Sequence, residues 1–527
     1  MEEYDYVIVG AGSAGCVLAN RLSEDPGTSV LLLEAGGRDL SPKIKIPVAF
    51  PQQFQTGLDW DHRTGPEPGC DGRDLYVPRG KGIGGSSSMN AMLYVRGCAA
   101  DYDGWAAEGC EGWSWEEVLP YFKRSENRVG RVGEAHGTGG ELDVRDPRSP
   151  RKLTKLMIDA ARAREHALNA DYNDGDPVGV SPVQVTQRNG RRWSAADAFL
   201  RPAKGRPNLQ VTRGATVERV LLDGDRATGV RYSRRLRGTE EVRARGEVIL
   251  AAGAIGSPHL LQISGIGDPD GLRSAGIEVR HELAGVGENL QDHPFMVAIY
   301  DARKDTLADA EEPLYLAEFL LRQTGPLTST VAEAFVFTRS SQATDAPDLQ
   351  LHLAPAFFSD HGFEEYDQHS ATLGPVLVSP RARGHVRAKG PDPEQKPSIL
   401  GNHLTDPEDM AAMVEGMKIA RELAATEPLA SELTREIYPG PEVKTDEQIE
   451  ADIRKRVELL YHPVGTCKMG TDEAAVVDSE LRVRGLEGLR VIDASVMPRI
   501  TRGNTNAPAY MIAEKGAELV LAASGRA

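Results

Sequence analysis

The residues with the clearest chemistry stand at the start of the chain. Gly10-x-Gly12-x-x-Gly15 follows the β-branched run Tyr6 to Val9 and opens a segment, Ser13 to Leu22, with helical patterning. Gly10 permits a tight turn, Gly12 lets the backbone approach a pyrophosphate at the helix N-terminus, and Gly15 allows helix and strand to pack closely. Glu34 ends the next apolar run, Val30-Leu-Leu-Leu-Glu34, about 20 residues further on, where an acid can hold a ribose hydroxyl. A glycine turn without a ligand would not explain why an acid ends a buried strand. The pattern implies a bound dinucleotide and does not separate NAD from FAD.

A second cluster, Gly80-Lys-Gly-Ile-Gly-Gly-Ser-Ser-Ser-Met-Asn90, can wrap closely around an extended ligand, with hydroxyls and backbone N–H groups for its oxygens. Among twelve histidines, His462 follows the mostly apolar run Val457 to Tyr461 and precedes Pro463 and Gly465. Imidazole suits proton transfer near neutral pH. No HExxH and no GxSxG occurs, so zincin and nucleophile-elbow hydrolase chemistry lack their motifs, and no metal site is expected. The pair Glu364-Glu365 reads as solvated surface.

These residues need elements to hold them. Strand, glycine turn, helix and strand make the βαβ unit of a parallel sheet. Further strands are predicted at 211–217, 220–222, 230–232, 246–253 and 488–493, with 233–245, rich in Arg and Glu, as a solvated hairpin. Helices are predicted at 150–166 and 507–524. Residues 36–100, with Pro47, Pro51, Pro66, Pro68 and Pro78, read as a long functional loop. Between 295 and 450, strand-like runs (334–338, 349–354, 373–378) mix with helices near 313–322, 407–424 and 446–456. Strands of nucleotide-domain type thus occur early, midway and late. The simplest organisation is an α/β fold, α+β overall. A discontinuous Rossmann-like domain (1–145, 205–295, 457–527) carries an inserted domain (146–204, 296–456), an antiparallel sheet with helices.

A chain of 527 residues is long enough for two domains and a buried cofactor. Its composition, 40% hydrophobic and 26% charged, is ordinary for a globular protein. A net charge of −17 argues against nucleic acid as a partner, and an acidic surface would at most draw cationic substrates weakly. The five cysteines (Cys16, Cys70, Cys98, Cys110, Cys467) are scattered and odd in number, which suits a reducing compartment better than a disulfide scaffold. Without a signal-type leader or an apolar run of roughly 18 residues, the expectation is a cytoplasmic protein, with peripheral membrane contact left open.

Four further segments resemble the glucose-methanol-choline (GMC) oxidoreductase family, especially its choline dehydrogenase-like bacterial members. They are the 80–90 loop continuing to Tyr94, Gly97 and Asp103; Gly253-Ala-Ile-Gly-Ser-Pro-His-Leu-Leu-Gln-Ile-Ser-Gly-Ile-Gly267; Gly285-Val-Gly-Glu-Asn-Leu-Gln-Asp-His293; and Tyr461-His-Pro-Val-Gly-Thr-Cys-Lys-Met-Gly470 together with Asp493-Ala-Ser-Val-Met-Pro498 and Gly503-Asn-Thr-Asn506. The resemblance runs from residue 4 to about 520 and implies FAD. It carries over as cofactor contacts Gly10, Gly12, Ser13, Ala14, Gly15, Glu34, Ala35, Trp60, Arg79, Gly84, Gly85, Ser86, Asn90, Ala91, Val217 (through its backbone, to adenine), Asp493, Ala494 and Thr505. Some relatives attach FAD through a histidine in this loop; the matching residue here is Met89, so the flavin is expected to be non-covalent.

The resemblance also implies oxidation of a primary alcohol to the aldehyde. His462 takes the hydroxyl proton and flavin N5 the hydride. Asn504 is the expected partner at the substrate oxygen, ranked on spacing above Asn506. His293 reads as structural; His352 and His361 are candidates for the cavity wall. For the substrate pocket the expectation is Tyr461, Glu333, Phe335 and Phe357, with Phe337 and Phe358 as further apolar candidates. Glu333 would face a cationic head group, which makes choline one candidate. The electron acceptor is quinone-type or O2, with a dehydrogenase preferred because the nearest-looking relatives are of that kind. An oxidase releasing H2O2 and a redox-neutral hydroxynitrile lyase are the alternatives.

Overall fold

The three predicted elements at the N-terminus form as β1 (Glu2–Val9), α1 (Ser13–Leu22) and β2 (Val30–Glu34). In this computed structural model residues 2–234 and 237–525 are described. β2 is buried along its whole length, as a parallel strand covered on both faces must be. Tyr6 to Val9 pair in parallel with Val30 to Leu33 on one side and with Glu247 to Leu250 on the other.

The resulting seven-stranded sheet runs in the order Leu209–Arg213, β2, β1, Gly238–Leu250, Arg226–Arg234, Ala215–Asp223, with Leu489–Val491 joined to Gly238–Leu250. One half is parallel; the other is an antiparallel meander. Gly238–Leu250 serves both halves. Its Arg- and Glu-rich part pairs antiparallel with Arg226–Arg234, and its apolar end lies between β1 and Leu489–Val491. The predicted hairpin arm and the predicted buried strand are therefore one continuous strand, whose charged half is half-exposed. Residues 235–236 of that hairpin lie outside the described residues. The 36–100 stretch also departs from a plain loop, since His62–Glu67 pairs with Arg73–Val77, with a register shift between Arg63 and Pro66 that admits the proline.

α1 packs on the C-terminal helix Asn506–Ala523. Arg21 of α1, buried, donates to Glu514 at 2.7 and 2.8 Å and to Glu141 at 2.7 and 2.8 Å. This ion network ties α1 to the C-terminal helix and to Glu141.

The second sheet is eight-stranded and antiparallel in every pair, in the order Leu433–Tyr438, Ala298–Ala302, Ser370–Leu377, Leu349–Ala354, Ala334–Thr338, Gly179–Pro182. Its Leu351, Leu353, Leu373 and Leu377 share one core with Met413 and Met417 of the helix Pro407–Ala424. By the two-residue period of a strand, Gln350, His352 and Ala354 turn to the opposite face, toward the first sheet. Two short strands, Pro294–Phe295 and Glu458–Leu459, also belong to this sheet and pair with one another. They fall within the segments assigned from sequence to the nucleotide domain, because strands two residues long leave no periodic signal. Their pairing has a consequence: His293 and His462 sit beside two strands that run together.

The glycine turn gives the first test. A Cβ on Gly15 would lie 1.8 Å from the Gly10 carbonyl oxygen. Gly15→Ala is expected to lower the urea midpoint by the equivalent of about 1–3 kcal/mol. An unchanged midpoint would mean that α1 can move off β1 at no cost.

Candidate active site

Both sheets present strand ends and loops to a single cavity of about 620 Å³. Every residue predicted to contact the cofactor lines it except Gly15 and Gly84. Gly15 is spent on packing against Gly10, and Gly84, at φ +89°, shapes the loop where a Cβ would meet the Ser88 hydroxyl at 2.2 Å. Gly85 allows that loop to touch the turn; a Cβ there would lie 2.7 Å from Gly12 Cα.

The acids at this end are braced by backbone. Glu34 accepts from the Ala11 N–H at 2.9 Å and the Gly36 N–H at 2.7 Å. Asp493 accepts from the Gly253 N–H at 2.8 Å, the Ser257 hydroxyl at 2.5 Å and the Ser495 N–H at 2.8 Å. Both hold the loops in place as well as lining the cavity.

The residues fit an extended dinucleotide on three observations. No side chain caps the N-terminus of α1, so its first N–H groups are available to an anion. A Cβ on Gly12 would meet nothing within 4 Å, which leaves the backbone open to close approach. His62 Nδ1 and His259 Nε2, both buried in the cavity wall, have no partner among the described residues. Buried polar atoms of that kind call for a ligand. His62 stacks on Trp60, and Lys81 Nζ lies 4.3 Å from the Trp60 ring centre. The sequence reading missed both histidines and Lys81, since nothing in their spacing marks them.

At the junction with the second sheet, Asp292 Oδ1 accepts the backbone N–H groups of His293 and His462, each at 2.7 Å. The Arg79 guanidinium donates to the carbonyl of Tyr461, whose φ is +66°. These contacts hold the strained backbone that aims His462. His462 Nδ1 lies 3.0 Å from His293 Nδ1, with the rings at 86°. Asn504 Nδ2 lies 3.1 Å from His462 Nε2. With that amide donating, Nε2 carries the lone pair. The His462 proton is then on Nδ1 and is donated to His293. Asn506, the competitor, instead accepts from the Ser13 hydroxyl at 2.6 Å.

Burial first, then His293, Arg79 and His352, hold the His462 pKa well below its ordinary 6.5. Burial takes His293 down to about 3 and pushes Asp292 up to about 7. The pair is thus kept as two neutral rings.

Beyond His462 the cavity is walled by Phe50, Phe54, Phe295, Phe358, Val331, His352 and Tyr461. Three of the predicted pocket residues do not face it. Glu333 is turned into the protein, where it accepts from the Thr154 hydroxyl at 2.6 Å, the Ser329 hydroxyl at 2.7 Å and the Arg151 N–H at 2.7 Å. Phe335 lies under His352, with ring centres 4.8 Å apart, and Phe357 stacks on Tyr366 at 4.7 Å. His361 lines a separate cavity of about 420 Å³. Phe50, Phe54 and Phe295 were missed: Phe50 lies in the short 3-10 helix Pro47–Gln53, Phe54 caps it, and Phe295 is in a two-residue strand.

Comparison with known proteins bears on the family and the fold. Residues 4–295 and 380–513 match the two family models described as GMC oxidoreductase. The chain is 47% identical over 523 residues to an uncharacterized GMC-type oxidoreductase of Mycobacterium tuberculosis, covering 98% of this chain and 99% of that one. It is 43% identical over 527 residues to an alcohol dehydrogenase (acceptor) of Pseudomonas putida, covering 98% and 96%. Pyridoxine 4-oxidase from Mesorbium loti superposes with a TM-score of 0.89 at 34% identity, covering 98% of each chain.

Proposed function

Because the chain belongs to the GMC oxidoreductase family and is an FAD-dependent enzyme acting on CH–OH donors, we propose that it oxidises an uncharged primary alcohol to the aldehyde, with His462 as the base. The observation that carries this reading is the neutral His462 Nε2, paired with Asn504 where the cofactor wall meets the apolar chamber. FAD, when bound, supplies the hydride acceptor. His462 Nε2 takes the hydroxyl proton. Asn504 Nδ2 turns from Nε2 to the substrate oxygen and supports the developing alkoxide. As Nε2 gains a proton, the Nδ1–H bond to His293 becomes charge-assisted and steadies the imidazolium. The aromatic wall keeps water from the reacting atoms.

Among the described residues, the acids that line the cavity are Glu34 and Asp493 at the cofactor end and Glu394 on the loop beside Lys396. The chamber beyond His462 has none, and this favours a neutral alcohol over a quaternary ammonium such as choline. Similarity to the alcohol dehydrogenase (acceptor) favours an acceptor-linked dehydrogenase, with a quinone-type acceptor, over an oxidase. Peroxide release during turnover would overturn that assignment. No helix among the described residues is long and apolar enough to cross a membrane. Met89, buried against Phe50, Phe54 and Tyr76, offers a thioether where relatives use a histidine, which favours non-covalent flavin.

Three outcomes are expected. Anaerobic addition of a neutral primary alcohol should bleach the flavin, and His462→Ala should slow that step by about 10²–10⁴-fold. Normal reduction in the variant would remove His462 from its role, and a redox-neutral lyase would leave the flavin oxidised. The second outcome concerns pH. Because the base is active when neutral and its pKa is depressed, kcat/KM should stay level as pH falls through 6.5 and decline only below it. An acid limb centred at or above that value would contradict the geometry. Finally, acid precipitation should leave all flavin in the supernatant; yellow colour retained in the pellet would point to a covalent bond.

A further inference from the structure

The chamber beyond His462 has few polar groups left to offer a substrate. The Thr330 hydroxyl donates to the Ala332 carbonyl at 2.8 Å, and the Thr372 hydroxyl donates to the Ala356 carbonyl at 2.7 Å. Asn90 Oδ1 already accepts from Arg192 at 2.7 Å and from the Met92 N–H at 3.0 Å.

His352 differs from these. Its Nε2 lies 3.3 Å from Gln350 Oε1, and an amide oxygen only accepts. With that oxygen accepting, Nε2 carries the proton and Nδ1 the lone pair, while Gln350 Nε2 is left without a partner among the described residues. Nδ1 makes no hydrogen bond among the described residues, and the ring lines the cavity. The ring is held from both sides, with Phe335 at 4.8 Å and Phe295 at 6.1 Å between ring centres. Gly374, opposite His352 in the neighbouring strand, makes room for this arrangement: a Cβ there would lie 2.4 Å from the Phe295 ring. Burial lowers the His352 pKa to about 3, so the ring stays an acceptor over the whole working pH range.

A fixed, neutral, unpartnered acceptor in an apolar wall selects for a donor, because leaving it unpaired against a ligand costs affinity. We propose that His352 Nδ1 accepts a hydrogen bond from a second donor on the substrate, a hydroxyl or N–H away from the carbinol, so that His352 determines specificity for apolar, uncharged alcohols carrying such a group. The proposal rests on the reading of His462 as the base for an alcohol.

The test compares anaerobic flavin reduction by 3- and 4-hydroxybenzyl alcohol with that by the matching methoxybenzyl alcohols, which keep the ring and the oxygen but lack the donor. In the wild-type holoenzyme, at least one hydroxy compound should exceed its methoxy counterpart by about tenfold or more in reduction rate over dissociation constant. In His352→Leu that ratio should fall toward one, and in His352→Asn, which retains an acceptor, it should recover in part. Flavin content and far-UV circular dichroism identify a variant that has not folded; the wild-type ratio alone still decides in that case. The proposal fails if neither hydroxy compound is preferred by the wild type, or if His352→Leu slows hydroxy and methoxy substrates equally. Should no alcohol bleach the flavin at all, the parent reading fails instead.

Discussion

A buried imidazole works as a base only when it is neutral and its lone pair is on the nitrogen that meets the substrate. The rest of the substrate half depends on that condition. Burial is the main source of neutrality, since a charged ring would have to give up its hydration, and His293, Arg79 and His352 add to it. It does not choose the nitrogen. Here the choice is made by a directional chain: Asn504 donates to His462 Nε2, and His462 Nδ1 donates to His293. His293 must accept for this to hold, and its own depressed pKa keeps its Nδ1 free of a second proton.

Such a chain tolerates little movement, because hydrogen bonds weaken steeply with misalignment. The fold meets this demand by fixing backbone rather than side chains. The strands Pro294–Phe295 and Glu458–Leu459 pair with each other, the Leu460 N–H reaches the His293 carbonyl at 2.9 Å, and Asp292 Oδ1 holds the next N–H groups on both sides. The two histidines come from segments far apart in sequence, yet one short ladder and one carboxylate set their separation. The first sheet contributes the cofactor wall, and the second contributes the face carrying His352 and Ala354. His462 Nε2, the base in the proposed reaction, lies at their seam.

This division explains what could be read from the residues alone. The cofactor wall is built from local motifs, in which a glycine turn, its helix and its acid lie within one βαβ unit, and nearly all of its predicted residues face the cavity. The substrate wall is built from strand faces, where parity and neighbours decide the outcome. The strand Leu349–Ala354 was legible as a strand, but which face meets the cavity depends on the helix Pro407–Ala424 covering the other. Phe335 has the right parity and still misses the cavity, because its ring packs with Tyr172, Val183 and Phe337 beside His352. Glu333 precedes an apolar strand as a pocket acid would, but Thr154 and Ser329, distant or unremarkable in sequence, satisfy its carboxylate internally. Phe50 and Phe54 lie in a proline-rich stretch with no period from which to read a direction.

The acidic composition does not by itself carry into the reacting chamber. A net charge of −17 would appear to suit a cationic substrate. Yet many buried acids are consumed in bracing backbone: Glu34 at the glycine turn, Asp493 at the Gly253 turn, Asp292 at the histidines, Glu67 at Gly401 and His403, and Asp409 at Arg381 and Ala382; others, such as Glu514 and Glu126, are held by Arg21 and Arg96. A carboxylate that accepts two N–H groups fixes a loop that no regular ladder reaches. The remaining acids are mainly at the surface, where salt screens them over about 8–10 Å. The reacting chamber is thus shielded from the sign of the whole molecule. On the reading proposed above, a substrate is selected there by the shape of an aromatic wall and the few polar atoms left unpaired within it.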